Sequence, residues 1–320
     1  MKLAIHSNQF DGRGTGRVSL DYAIGLRNLL GHEVICITSA LSENEGLESI
    51  RKEFNTFTYD KKVGVHSLTE VSDAISKIVK NEKIDFIQMI KAGDNDEINP
   101  IGCKVGVHCV FNMNQPHGDV YAGVSDYLAK KHGKTEYVPH IVKNMEKTAN
   151  WRSILGISEE SLVIGRHGGY DTFDLPYVHR SVERILNERP EIVFLFLSTK
   201  QFTTHPRAIF VPWVKNQQDI FNFIHSCDAM LHGRSAGETF GLAAAEFSVA
   251  NKPIITNIGY DNAHIDNLDG RALVYTDETE LLSILRQITK EYFKENDWDV
   301  LSHKFSEKNV IEQYNKVFLT

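Results

Sequence analysis

The sequence predicts an α/β protein of two doubly wound, Rossmann-like domains facing across a cleft. Three observations carry this. At 320 residues the chain is long for one core, and two domains of ordinary size fit it better. Apolar runs of strand length alternate with helical patterns along the whole chain, as they do where parallel sheets are covered by helices on both faces. The alternation is interrupted once, around residues 143–152, where the polar stretch 143–150 reads as a linker.

In order, residues 2–6 read as a strand, 18–30 as a helix and 33–38 as a second strand. An amphipathic helix follows over 68–81. Strands are predicted at 84–90, 104–108 and 120–124, and residues 136–142 close the first sheet. The second series has strands at 162–166, 192–197, 208–211, 229–231, 253–256 and 272–274, with helices between. Residues 306–320 place Val310, Ile311, Tyr314, Val317 and Phe318 on one helical face. The expected division is a first domain over 1–145, a second over 146–304, and a helix over 305–320 that returns to the first. Two such domains bind ligands at the carboxyl ends of their strands.

Hydrophobic residues make up 42% and charged residues 24% of the chain, which is ordinary for a soluble globular protein. No apolar run approaches the roughly 20 residues of a membrane helix. The net charge of −7 argues against a general nucleic-acid binder but leaves room for an anion in a local basic pocket. Of the 4 cysteines, Cys36 and Cys227 sit in or beside strand patterns, and no CxxC spacing suggests zinc. Residues 1–6 run directly into a strand pattern with no leader-like apolar core. A reducing, cytoplasmic setting is expected.

The most informative segment is Gly237-Glu238-Thr239-Phe240-Gly241-Leu242-Ala243-Ala244-Ala245-Glu246. It follows the strand ending at His232, and Thr239 reads as the N-cap of a helix over 240–250. The helix start is unusually small, so a ligand or another backbone can approach it. Its unpaired N–H groups and positive dipole end suit a phosphate. Glu238 and Glu246 flank that terminus, and each carboxylate can accept two hydroxyl hydrogen bonds. A diphosphate between two polyols, as in a nucleotide sugar, matches that layout. A surface pair of glutamates on a core helix is the plainer alternative.

This string, followed by Asn251-Lys252-Pro253-Ile254-Ile255, resembles the Glu-x7-Glu motif of the retaining glycosyltransferases of family 4, which have the two-domain GT-B fold. The resemblance implies that Glu238 contacts the donor sugar, that Glu246 holds the ribose, and that the amides near Thr239, Phe240, Gly241 and Leu242 face the diphosphate. It covers nearly the full chain, with weaker motifs elsewhere. Asp11-Gly12-Arg13-Gly14-Thr15-Gly16-Arg17 stands where the family has a glycine-rich loop near the donor, which implicates Gly16. His108 ends a strand where many members carry a histidine facing the donor sugar, so His108 joins Glu238 as a catalytic candidate. Its alternative is a hydrogen-bonded core histidine.

The pattern departs from the family at one place. The expected Arg and Lys after the first strand of the second domain are replaced by Gly169 and Asp174, in Arg166-His167-Gly168-Gly169-Tyr170-Asp171-Thr172-Phe173-Asp174. An acid about 4 Å from a diphosphate costs on the order of 4 kcal/mol per charge pair in a partly screened site. Asp174 is therefore expected to point elsewhere. Arg166, Lys200 and Arg234 are the candidate replacement cations, with ordinary surface charges as the alternative. Gly168 and Gly169 are placed in the donor loop.

The resulting expectation is sugar transfer, with retention, from a UDP- or GDP-sugar to a carbohydrate, lipid-linked or protein-linked acceptor. No cofactor is expected. No metal is expected either, because no acidic DxD motif is assigned to a strand end. His117 and Asp119 either bind acceptor or shape a loop. The basic run 130–134 is either a solvated surface or a peripheral membrane contact. Two rival functions are an epimerase of the same fold using His108, His167 and His232, and a binding protein without turnover.

Overall fold

The computed structural model describes residues 1–8, 10, 14–42, 47–214 and 216–320. The chain divides into two compact units, Met1–Ile141 together with Phe305–Thr320, and Val142–Lys304.

The first unit alternates strands and helices: β1 (Lys2–His6), α1 (Gly14–Leu30), β2 (Glu33–Ser39), α2 (Leu47–Glu53), β3 (Thr56–Tyr59), α3 (Leu68–Glu82), β4 (Phe86–Lys91), β5 (Lys104–Cys109), β6 (Val120–Gly123) and α4 (Asp126–Lys131). Its sheet is parallel throughout, in the order β3-β2-β1-β4-β5-β6. The strands are buried on both faces, which is why they read as unbroken apolar runs rather than alternating ones. α3 starts where the sequence places it because Ser67 and Glu70 form a reciprocal capping box. α1 starts at Gly14, four residues before the predicted Val18, so part of the expected glycine-rich loop is the first helical turn. Residues Asp11, Gly12 and Arg13 of that loop lie outside the described residues.

The second unit contains α5 (Trp151–Ile154), β7 (Leu162–His167), α6 (Pro176–Glu188), β8 (Ile192–Leu197), β9 (Ala208–Val211), α7 (Gln217–Ser226), β10 (Ala229–His232), β11 (Gly237–Glu238), α8 (Leu242–Val249), β12 (Ile254–Asn257), β13 (Asp261–Asn262), α9 (Ala263–Asn267), β14 (Ala272–Tyr275), α10 (Glu278–Gln287) and α11 (Lys290–Lys294). Its parallel sheet has the order β14-β12-β10-β7-β8-β9. Read from the β9 edge, this is the same winding as in the first unit, with the reversal between β7 and β10. Phe194, Phe196, Leu231 and Ile255 fill one face of the sheet together with Val182, Ile185 and Leu285 from α6 and α10. Each such side chain is worth roughly 1.5–3 kcal/mol of burial.

The polar stretch read as a linker is fastened to the second unit rather than loose. Asn222 of α7 accepts from the amides of Thr148 and Ala149 at 2.9 and 3.1 Å, and Asn144 donates to the Val249 carbonyl at 2.7 Å. The last helix, α12 (Glu307–Tyr314), and the π-turn Asn315–Leu319 pack on the first unit. A Cβ on Gly25 of α1 would stand 2.5 Å from Ile311, so glycine there admits the helix. Tyr314 donates from its buried hydroxyl to Gln88 at 3.0 Å. No described helix is long and apolar enough to cross a membrane.

Candidate functional site

In open parallel sheets, ligands bind beyond the carboxyl ends of the strands where the winding reverses. In the second unit that point lies between β7 and β10, which pair directly through Ala229 with Ile164 and Met230 with Gly165. The segments leaving these two strands, residues 168–174 and 233–241, include the donor-binding candidates Gly168, Gly169, Thr239, Phe240 and Gly241. They are tied together. Asp174 accepts from the Ser235 amide at 2.8 Å and from its hydroxyl at 2.6 Å, and the Asp174 amide donates to the Gly233 carbonyl at 3.2 Å. Asp174 thus spends its carboxylate on the neighbouring loop.

Two glycines shape the motif. Gly237 has φ +64°, and a Cβ there would lie 1.8 Å from the Asp261 carbonyl oxygen, because β11 pairs with β13 at that residue. Gly241 has φ +84° and is the N-cap of α8, with a Cβ there reaching within 2.5 Å of the His264 Cβ. Only glycine takes both demands without strain. The N-cap prediction at Thr239 is therefore corrected: Thr239 lies two residues upstream, and the cap carries no side-chain hydrogen bond. The correction moves the amide donors. The first bond within the helix runs from the Ala245 N–H to the Gly241 carbonyl at 2.9 Å. The amides ahead of it belong to Leu242, Ala243 and Ala244, and Phe240, which is 3% exposed, lies one residue before the cap with its side chain packed.

Glu238 sits at the end of β11 with its side chain 25% exposed. One oxygen is 3.0 Å from Arg234 Nη1 and 3.3 Å from His232 Nε2. Burial pushes its carboxyl upward, but His232 and Arg234 outweigh burial and hold it at about 2. Glu238 is an anion at any physiological pH. Glu246, eight residues on in α8, is almost fully enclosed, with Oε2 3.2 Å from His167 Nε2 at the end of β7. The two carboxylates thus stand beside the two strands that flank the reversal, each next to a histidine.

The candidate cations separate by environment. Arg166 is 4% exposed and bound to neutral acceptors: Thr199 and Thr172 hydroxyls, both at 2.7 Å, and the Gly169 carbonyl at 2.9 Å. Burial lowers it to about 10, and it remains charged. No carboxylate is hydrogen-bonded to it among the described residues. Arg166 therefore holds the Gly168–Gly169 turn in place and lends its charge through space. Gly168 makes this possible, with φ +151° and room for a Cβ only 3.1 Å from Arg166 Nη2. Lys200 is exposed just past β8, and its amide donates to the Tyr170 carbonyl at 3.0 Å, which sets it beside the same turn. Arg234 is engaged by Glu238.

In the first unit the candidates are less available. His108 is 0% exposed. Its Nδ1 meets Gln88 Nε2 at 3.1 Å and its Nε2 meets the Val138 carbonyl at 2.8 Å, with Tyr22, His140 and Phe318 around the ring. Burial pushes it down to about 4. The catalytic candidacy of His108 is corrected accordingly: both nitrogens are committed inside the core. Gly16 is buried in α1. His117 binds the Gln115 carbonyl and lies 3.3 Å from the Lys91 amine, while Asp119 accepts from the Val105 amide at 2.7 Å, so both shape loops. A DxD string does follow a strand, at Asp94-Asn95-Asp96 past β4. Asp94 is taken by Asn112 and Asn114, and Asp96 by Lys91. In the basic run, Lys130 is exposed and pairs with Asp126 at 2.6 Å.

Sequence reasoning also missed Thr256 and His264. His232 Nδ1 lies 3.0 Å from Thr256 Oγ1, which lies 2.8 Å from His264 Nε2. The strand register that pairs His232 with Thr256 is invisible in a single sequence.

No family model matches the chain, and no curated protein matches it. Solved structures do. HepE from Anabaena, in complex with UDP-glucose, superposes with a TM-score of 0.75 at 13% identity, covering 99% of this chain and 98% of that one. Sucrose-phosphate synthase from Thermosynechococcus elongatus gives 0.67 at 13% identity, covering 99% and 95%. MnaA from S. aureus, solved with UDP, gives 0.60 at 12% identity, covering 98% and 96%. At such identities the likeness is one of fold, and that fold is GT-B: two parallel six-stranded α/β sheets, each wound as described above.

Proposed function

We propose that this chain is a glycosyltransferase that takes its sugar from a nucleoside-diphosphate donor, held chiefly by the second unit. The observation that carries the reading is the placement of Glu238, Glu246 and the start of α8 around one sheet reversal, with a buried, charged Arg166 beside them. The amides of Leu242, Ala243 and Ala244 and the positive end of α8 suit the diphosphate. Glu238 takes the sugar hydroxyls and Glu246 the ribose. Arg166, Arg234 and Lys200 supply the positive charge that the departing diphosphate needs, in place of the family's Arg and Lys. The GT-B neighbours whose structures hold UDP or UDP-glucose support a nucleotide ligand of this kind.

We further propose retention of configuration, by same-face attack assisted by the leaving phosphate. Among the candidate residues no second carboxylate pairs with Glu238 across a sugar carbon, as a double-displacement hydrolase scheme needs. The acceptor is a carbohydrate, or a lipid-linked or protein-linked one. A panel of UDP- and GDP-sugars, scored by released nucleoside diphosphate with and without acceptor candidates, tests the reading. Slow release of free sugar and diphosphate from one donor supports it. Isomerisation of the donor sugar with no release points instead to an epimerase, and binding without either to a non-catalytic protein.

A further inference from the structure

Glu238 does not stand alone on its histidine. Behind His232 runs a buried polar chain that no part of the sugar-transfer reading uses. His232 Nε2 faces Glu238 Oε1 at 3.3 Å, His232 Nδ1 faces Thr256 Oγ1 at 3.0 Å, and Thr256 Oγ1 faces His264 Nε2 at 2.8 Å. His232, Thr256 and His264 are 7%, 0% and 1% exposed. The two rings lie 4.6 Å apart between centroids.

With His232 neutral, the hydrogens along this chain have one consistent arrangement. Glu238 is ionised and can only accept, so His232 Nε2 carries a proton. In the neutral ring Nδ1 is then an acceptor, and the Thr256 hydroxyl must donate to it. That hydroxyl has a single hydrogen, so its oxygen accepts from His264, whose Nε2 carries the proton. At the far end, His264 Nδ1 is buried with no hydrogen-bond partner. A bare lone pair there is less costly than an orphaned N–H, which favours the same tautomer. Both ends dictate one direction. The competing acceptor for the Thr256 hydroxyl, the Asn257 carbonyl, is farther at 3.3 Å.

We propose that Thr256 and His264 are positioning residues for Glu238: they lock His232 as the Nε2–H tautomer, which orients the carboxylate toward the donor sugar. His264 also abuts Gly241, so the same residue sets the position of the α8 start. The proposal rests on the reading of Glu238 as the sugar-holding carboxylate. It predicts that Thr256→Val, which removes the hydroxyl at nearly constant shape, weakens binding of the nucleotide sugar about tenfold, the loss of one buried hydrogen bond. Affinity for the free nucleoside diphosphate changes less than twofold. Thr256→Ser restores the ratio, and His264→Gln, which keeps an N–H in place, stays closer to wild type than His264→Leu.

Calorimetry uses UDP-glucose against UDP and GDP-mannose against GDP. A Thr256→Val protein with an unchanged ratio, or with both affinities lost together, overturns the proposal. Nitrogen-15 imidazole spectra of the full chain test the relay without a ligand. Nε2–H tautomers at both His232 and His264 are expected, and an Nδ1–H tautomer at either overturns it. Wild-type protein that binds none of the four probes defeats the donor reading, and the spectra still decide the relay.

Discussion

Glu238 combines partial exposure with a carboxyl held at about 2 by His232 and Arg234 against burial. Its folded value lies below its ordinary one. The stability it contributes is full above about pH 4.5 and is lost only as pH falls toward 2. An acid limb in turnover between pH 5 and 8 therefore belongs to another group. Glu238→Gln keeps the shape but loses the charge that anchors His232 and Arg234. Turnover should fall on the order of a hundredfold while nucleoside diphosphate affinity stays within about twofold, as steady-state kinetics alongside calorimetry will show. The candidacy of this residue was legible in the sequence because its partners are local: Glu246 eight positions on, glycines at both sides, a strand before and a proline after. Its support was not. Thr256 and His264 reach it through strand register and a loop return, which no spacing rule encodes. His108 shows the opposite failure. A histidine at a strand end reads the same whether it faces a ligand or, as here, the core.

Among elements, α8 is the one whose geometry matters most. Its start was expected two residues early because Thr239 is a good capping residue, but the left-handed Gly241 takes the cap. Gly241→Ala meets both a positive φ and a Cβ contact of 2.5 Å with His264. It should destabilise the second unit by about 1–3 kcal/mol in urea denaturation. Gly14→Ala is the control: it lies in a helical turn with nothing within 4 Å of its Cβ, and stability should be unchanged or raised by up to about 1 kcal/mol. The long strands were legible because burial on both faces makes them continuous apolar runs. α2 and β3 were not, being short and half-exposed, with Thr56 and Phe57 only partly covered and Thr58 exposed. The start of α1 was hidden by glycines that read as loop.

Across the whole molecule, the fold class followed from length and alternation, while strand order came only from the structure. The buried histidines add a consequence for stability. Burial pushes His6 to about 3, His108 to about 4 and His264 to about 3, and His140 well below its ordinary value. An unfolded histidine takes up its proton near 6.5, so between there and the folded value the unfolded state binds more protons. Stability is full above pH 6.5 and falls by up to about 1.4 kcal/mol per pH unit per histidine below it. His6, His108 and His140 lie in the first unit and His264 in the second. All 3 tryptophans, Trp151, Trp213 and Trp298, lie in the second. Between pH 7.5 and 5, the urea midpoint followed by far-ultraviolet circular dichroism should therefore drop further than the midpoint followed by tryptophan fluorescence. Coincident shifts contradict this distribution of buried histidines.

The central claim is that the β7–β10 reversal of the second unit cradles a nucleoside diphosphate between Glu246 and the start of α8. Isothermal titration calorimetry of the intact chain with UDP and with GDP tests it most directly, alongside Glu246→Gln. One of the two nucleotides should bind with one-to-one stoichiometry. The substitution should weaken it about 10- to 100-fold, as expected for a charged hydrogen bond to ribose. Absence of binding by both nucleotides, or an affinity indifferent to Glu246, contradicts the claim.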